Sequence, residues 1–150
     1  MAEYRFQESA VIQAPPAKVY GIVADYNAGH QRILPKEFHD LVVEQGGVGE
    51  GTAIRFQATL FGRTATLRAV ITEPEPGRVL VESYPATGDV TTFTADPVEG
   101  GRATRMTIST MMRGRGGVAG LIERLLLPRV LRRVYVEELK RLAEVAAEQG

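Results

Sequence analysis

Residues 118–147 read VAGLIERLLLPRVLRRVYVEELKRLAEVAA. Apolar residues recur in this run with the period that collects side chains on one face of a helix. That face consists of Val118, Leu121, Ile122, Leu125, Leu131, Val134, Tyr135, Leu139, Leu142 and Ala146. The run therefore predicts one long amphipathic helix. Because a proline removes a helix hydrogen bond, we expect this helix to bend near Pro128.

The middle of the chain predicts an antiparallel sheet. Between residues 38 and 112, short segments of alternating apolar and polar residues are separated by turns rich in glycine and proline. Five or six strands follow from this pattern, at residues 38–45, 54–60, 65–71, 78–83, 90–96 and 103–112. In the second of them Phe56 falls on one face while Arg55 and Gln57 fall on the other. One face of the sheet is therefore apolar, and the other faces water.

The N-terminal part predicts a strand followed by two short helices. Residues 4–13 alternate loosely, and Pro15-Pro16 then ends the strand and opens a helix in its first turn. Helical spacing continues over residues 17–26, and a second short helix is expected at residues 30–34. An apolar sheet face must be covered, and the long C-terminal helix is the element able to cover it. We expect a single α+β domain over residues 1–150.

Composition narrows the classes of function. The chain has 18 basic and 18 acidic side chains and no cysteine. The lack of cysteine excludes disulfides and cysteine-based metal sites, and the balanced charge provides no net field to attract nucleic acid. The N-terminus does not resemble a signal peptide, and no apolar run reaches the ~18 residues of a membrane span. We expect a cytoplasmic monomer or homodimer that binds no nucleic acid, needs no cofactor and does not insert stably into membranes.

Short motifs at the turns carry a resemblance to a known family. They are APPAKVY at 14–20, VADY at 23–26, LP at 34–35, GVGEGT at 47–52, PEPGR at 74–78 and GGRATR at 100–105. Together with the order of the elements, they resemble the START/Bet v 1-like (SRPBCC) superfamily, in particular its small polyketide cyclase/dehydrase and lipid-transport-like proteins. The resemblance covers nearly the whole chain. It implies a helix-grip fold, a curved antiparallel sheet of six to seven strands around a long C-terminal helix, with two short helices after the first strand.

The resemblance also implies an apolar cavity between the concave sheet face and the long helix, able to hold a lipid, polyketide, steroid or aromatic molecule. Large and small inward side chains alternate, a mixture that either leaves room for a ligand or packs solid. Strand parity selects Phe56, Leu67, Phe93, Met106 and Ile108 as the cavity wall. As polar anchors for a ligand we expect Arg55, Arg63, Tyr84 and His30.

Candidate catalytic groups are few. His30 and His39 lie nine positions apart, without the spacing of a helical metal pair, so we expect no metal site. His30 is either a proton carrier at the cavity mouth or a surface or capping histidine. Asp25 is expected to be structural, accepting hydrogen bonds from the amides of the following turn. The acids expected to be solvated, rather than paired in a pocket, are Glu73, Glu75, Glu137 and Glu138.

The leading interpretation is a non-catalytic binder or carrier of a small hydrophobic molecule, because the sequence supplies no recognisable nucleophile, metal site or acid pair. The alternative is an enzyme of the polyketide aromatase/cyclase type, or a related dehydratase, in which His30, Tyr26, Tyr84 and Arg55 are the available proton-moving groups. A co-chaperone or partner-binding domain of the same fold is a third interpretation, and it would show an exposed apolar patch. We also expect the glycines of residues 114–120 to act as a gate.

Overall fold

The computed structural model describes residues 3–114 and 117–148, without the side chains of 117–119, 121 and 122. Within these residues the chain forms seven strands and three α-helices. They are β1 (Glu3–Ile12), α1 (Pro16–Ala24), α2 (Gly29–Ile33), β2 (Phe38–Gln45), β3 (Ala53–Leu60), β4 (Arg63–Glu75), β5 (Val79–Tyr84), β6 (Asp89–Val98), β7 (Ala103–Arg113) and α3 (Gly117–Ala146). None of the described helices is both long and apolar enough to cross a membrane.

All seven strands form one antiparallel sheet in the order β1-β7-β6-β5-β4-β3-β2. Strands β2 to β7 are a meander, in which each pairs with its neighbour in sequence, and β1 closes the order by pairing with β7. The long helix α3 packs on β1 and on the two short helices. The predicted α+β helix-grip fold is therefore confirmed, with seven strands.

Alternation along the strands separates a buried face from a wet one, as the sequence predicts. In β7 the side chains of Thr104, Met106, Ile108 and Thr110 are all buried. In β3 Ile54, Phe56 and Ala58 are buried, whereas the side chains between them are partly exposed. The buried face is the one that α3 and the short helices cover, so the sheet supplies the wall of whatever space lies beneath the helix.

Two strands run further than predicted, through prolines that were expected to end them. β4 continues past residue 71 to Glu75, and the pairing with β5 shifts register between Thr72 and Glu75, which is where Pro74 lies. β6 continues through Pro97, where β5 no longer pairs with it because Val79, the first residue of β5, is opposite Thr94. A proline lacks a backbone N–H, and at both places the ladder does not require one.

The C-terminal helix is continuous through Pro128. The bend expected there stays a prediction. The gate expected at residues 114–120 includes residues 115 and 116, which lie outside the described part of the chain.

Candidate ligand-binding cavity

A cavity of about 310 Å³ lies between the sheet and α3. Most of its wall is apolar, and the side chains of Ile54, Phe56, Leu67, Phe93, Met112 and Leu131 contribute to it. Aromatic edges define part of the wall, because the ring of Phe56 meets the rings of Phe38 and Tyr84 at centroid distances of 5.6 and 6.3 Å. The alternation of large and small inward residues therefore leaves a space in this molecule.

Six of the nine residues selected from the sequence border this cavity. Phe56, Leu67 and Phe93 are on its wall, and Tyr84 and His30 add polar atoms to it. Arg63 also lines the cavity, from an exposed position at the start of β4.

The other three selected residues lie elsewhere. Met106 and Ile108 belong to the close-packed core, with exposures of 0% and 1%, and α1 packs against the same strand. Arg55 is on the outer face of β3, where its Nε lies 3.3 Å from Glu44 Oε2. Parity places Met106 and Ile108 on the inward face correctly, but it does not distinguish filled from open space beneath the helix. For Arg55, parity itself excludes the cavity.

A buried carboxylate, Glu82 on β5, organises the polar part of the cavity. Its two oxygens accept hydrogen bonds from two phenols, Tyr26 at 2.6 Å and Tyr84 at 2.9 Å. Burial, and then the negative charge of Glu82, raises the pKa of both phenols well above the ordinary value, so both remain protonated donors. The cluster therefore holds Glu82 as an acceptor of two strong hydrogen bonds.

His30 joins this cluster from α2. Its ring stacks on Tyr26 with a centroid distance of 4.1 Å, and its Nδ1 donates to the carbonyl of Val23 at 2.7 Å. Nδ1 therefore carries the proton, and Nε2 is left as an acceptor at 3.7 Å from Glu82 Oε2. Burial lowers the pKa of His30, partly offset by the charge of Glu82, so the imidazole is neutral near pH 7. His30 thus caps the last turn of α1 and also lines the cavity; it is not a surface histidine.

Glu138 on α3 is the second buried acid of the cavity. It is only 3% exposed, it lines the cavity, and it makes no hydrogen bond within the described residues. Burial, followed by the charge of Glu82, raises the pKa of Glu138 well above its ordinary value, which favours the protonated form of this carboxyl. The expectation that Glu138 is solvated is wrong. The position follows Val134 by four residues and Tyr135 by three, which places it on the buried face of the helix.

Sequence signals for both acids exist and were missed. Glu82 occupies an inward position of β5, two residues after the buried Leu80 and two before Tyr84. A charged residue at an inward strand position, like an acid inside a helix's apolar face, indicates a functional site. The neighbour Glu137 is partly exposed and pairs with Arg141 at 3.0 Å, so of the two adjacent acids one faces water and one the cavity.

The remaining acids of interest are structural. Asp25 accepts hydrogen bonds from the amides of Asn27 and Ala28 at 3.0 and 3.2 Å, as predicted. Glu73 is not simply solvated, because it accepts hydrogen bonds from the Tyr20 phenol at 2.6 Å and from the amide of Glu50 at 2.7 Å. Across the described residues, no three His, Asp or Glu side chains are grouped so that they could hold a metal ion.

A family model described as polyketide cyclase / dehydrase and lipid transport matches residues 3–147. The chain belongs to this family. The match confirms the resemblance read from the turn motifs. No curated protein matches the chain in sequence.

Solved structures show the same fold. The KanY protein is 25% identical, with a TM-score of 0.85 over 99% of this chain and 100% of that one. The Zhui aromatase/cyclase from Streptomyces sp. R1128 is 18% identical, with a TM-score of 0.77 over 97% and 94% of the two chains. A START superfamily protein from Mycobacterium smegmatis is 14% identical, with a TM-score of 0.74 over 94% and 98%.

In this member of the polyketide cyclase/dehydrase and lipid-transport family, the charges that line the cavity are unbalanced. Among the described residues they are the acids Glu82, Asp89 and Glu138 and the single base Arg63. Glu82 and Glu138 are both buried, whereas Arg63 is exposed at the turn between β3 and β4. The buried part of the cavity is therefore acidic, and its cation is at the edge.

Proposed function

We propose that this protein binds a small hydrophobic molecule in the cavity beneath α3, with the polar end of that molecule at Glu82 and Glu138. The observation that carries the proposal is the carboxyl of Glu138, which opens onto an apolar cavity of about 310 Å³ and makes no hydrogen bond to the described residues. Ligand sites typically measure roughly 300–1,000 Å³ and combine an apolar wall with a few polar groups. A carboxyl that opens onto such a cavity is available to form a hydrogen bond with the polar end of a ligand.

The proposed partner is a small molecule, and the proposal needs neither a nucleic acid nor a cofactor. The equal numbers of basic and acidic side chains support this, because no net field draws the chain to a polyanion. Membership of a family described as polyketide cyclase / dehydrase and lipid transport supports a hydrophobic ligand of that general kind.

A second candidate is an enzyme of the aromatase/cyclase type. It is favoured by one observation, the presence of three groups able to donate or accept a proton on the wall of the same cavity. They are the carboxyl of Glu138, whose pKa is raised by burial, the carboxylate of Glu82 and Nε2 of His30. Aldol closure followed by dehydration needs a base that removes a proton and an acid that returns one, and environments that separate the pKa values of two groups supply this pair.

Blocking the cavity tests the proposed function. Ala58 on β3 lines the cavity, and its neighbour Gln57 faces the other side of the same strand. We expect Ala58→Phe to weaken binding of the uncharged fluorescent dye Nile red by about tenfold or more, which corresponds to ~1.4 kcal/mol. The matched variant Gln57→Phe should bind the dye as the wild type does.

Circular dichroism would establish that both variants are folded. Equal dye binding by wild type and Ala58→Phe would place the dye outside the cavity and contradict the proposal. For the second candidate, a poly-β-ketone thioester would be incubated with the protein, and a cyclised product that decreases with Glu138→Gln would be the supporting result.

A further inference from the structure

We infer that the ligand of this cavity carries a basic nitrogen, so that a small hydrophobic ammonium ion sits between Glu82 and Glu138. The inference rests on the proposed function and specifies the chemical class of its ligand. It follows from the hydrogen-bonding capacity and the charge of the groups that face the cavity, considered in turn below.

The buried polar atoms that remain available to a ligand are mainly acceptors. The phenols of Tyr26 and Tyr84 donate to Glu82, and Nδ1 of His30 donates to the carbonyl of Val23. These donors are already used. The buried hydroxyls of Thr91, Thr110 and Tyr135 also line the cavity, and the two hydrogen bonds among them use two of their three protons. The other groups that face the space are the carboxyl of Glu138, the remaining lone pairs of Glu82 and Nε2 of His30. An ammonium group offers three donors and no acceptor, which complements this set.

The negative charge of Glu82 also favours a cationic ligand. Glu82 is 5% exposed, and the described cation that lines the cavity, Arg63, is exposed at its edge. The imidazole of His30 is neutral, so it does not balance Glu82. A buried charge without an opposite partner is expensive, and a monocationic ligand would provide that partner.

Ligands of other charge fit less well. A carboxylate or phosphate would be repelled by Glu82 and could be met by Glu138 only as a single donor. An alcohol would satisfy a hydrogen bond but leave the charge of Glu82 unbalanced. The rings of Tyr84 and Phe93 also line the cavity, and aromatic faces attract cations. Each comparison ranks an amine above an alcohol and an alcohol above an acid.

Three ligands of one chain length test this ranking: decylamine, decanol and decanoate. Each would displace Nile red from the wild-type protein at neutral pH and constant ionic strength. We expect decylamine to bind at least about tenfold more tightly than decanol, and decanoate to bind most weakly. Decanol has the same alkyl chain and can form a hydrogen bond but carries no charge, so the ratio of amine to alcohol affinity isolates the effect of the positive charge.

Variants then assign the preference to the two acids. Glu138→Gln keeps the shape of the side chain but cannot become an anion, and Glu82→Gln removes the charge of the partner. In each we expect the ratio of decylamine to decanol affinity to fall about tenfold. Binding of Nile red and decanol, measured in each variant, gives the reference for that ratio and shows that the cavity is still present. The matched control is Glu137→Gln, the adjacent acid on the outer side of α3, which should keep the wild-type ratio.

The outcomes separate the inference from the proposed function. If Nile red and decanol bind but decylamine binds no more tightly than decanol, the inference of a basic nitrogen is refuted. It is also refuted if decylamine keeps its advantage in both acid variants, because the ammonium group then does not lie between Glu82 and Glu138. In both cases the proposed binding of a hydrophobic ligand in the cavity is still supported. Tightest binding of decanoate would also refute the inference. If neither Nile red nor any of the three ligands binds to the folded wild-type protein, the proposed function fails, and the inference fails with it.

Discussion

At the scale of a single residue, Glu138 is the acid whose position inside the helix's apolar face is most unusual. Its carboxyl is buried in contact with the cavity and has no hydrogen-bond partner among the described residues. Because the carboxyl opens onto the cavity, water or a ligand can be its hydrogen-bond partner there, while burial disfavours its charged form. Functional sites commonly contain groups whose pKa is shifted in this way. The expected signature is a dependence of stability on pH.

The pH dependence has a definite sign. The pKa of Glu138 is raised in the folded protein above its ordinary value of 4.5, so the folded state keeps a proton that the unfolded state releases. Stability is then lost as pH rises from that ordinary value toward the folded pKa, by up to ~1.4 kcal/mol per pH unit. Urea unfolding of the wild type and Glu138→Gln between about pH 5 and pH 8 measures this. We expect the stability of the wild type to fall relative to the variant; parallel curves would mean that the carboxyl is solvated.

At this scale the sequence predicts the apolar wall better than the polar groups. Phe56, Leu67 and Phe93 follow from strand parity because the sheet is regular where they lie. Glu82 on β5 and Glu138 on α3 line the same cavity, and no local pattern shows that a particular strand position and a particular helix turn face one space. Either acid alone resembles a solvated charge. Their shared location becomes visible only when both elements are in place.

At the scale of elements, hydrogen bonds to Glu73 link both α1 and the turn between β2 and β3 to the sheet. Glu73 on β4 accepts hydrogen bonds from the phenol of Tyr20 on α1 and from the amide of Glu50 in the turn. Glu50 returns a bond, because its Oε1 accepts from the amide of Glu73 at 2.8 Å. Gly49 lies against this carboxylate with a φ of +67°. The Glu73 carboxylate can occupy this position only because residue 49 has no side chain.

We expect Gly49→Ala to lower the free energy of unfolding by more than Gly51→Ala. Both residues have positive φ, +67° and +91°, so both variants share the backbone strain. An added Cβ at Gly49 would lie 2.4 Å from Glu73 Oε1, whereas at Gly51 it would meet nothing within 4 Å. The difference measured by urea unfolding should reach about 1–3 kcal/mol, which is the contribution of the two hydrogen bonds that Glu73 accepts. Equal losses in the two variants would mean that the Glu73 contacts contribute little.

Element boundaries were predicted less well than element types. The three α-helices and seven strands were expected from the sequence, but β4 and β6 were ended too early at prolines. A proline in the sequence indicates only that one backbone N–H donor is missing. Whether a neighbouring strand needs that N–H depends on the register between the strands. In β4 the register shifts after Thr72, and in β6 the short strand β5 ends before it reaches Pro97. Register is a property of the assembled sheet.

The whole molecule combines a shared fold with a particular interior. The order of elements and the turn motifs were sufficient to predict the helix-grip fold, and the family model matches residues 3–147. The ligand could not be predicted in the same way, because the turn motifs stabilise the scaffold and contribute one residue, Leu34, to the cavity wall. Function on a shared fold is determined by the site. Here the site is an apolar cavity with an acidic, buried cluster.

The most direct test of this account is mass spectrometry, under non-denaturing conditions, of the protein purified from the cell that naturally makes it. If the cavity binds a small hydrophobic molecule, part of the wild-type protein will carry an additional mass that organic solvent releases. Ala58→Phe, which fills the cavity, will lose that mass, and Gln57→Phe will retain it. A bare wild-type protein that also fails to bind Nile red, or an added mass that persists in Ala58→Phe, would contradict the account.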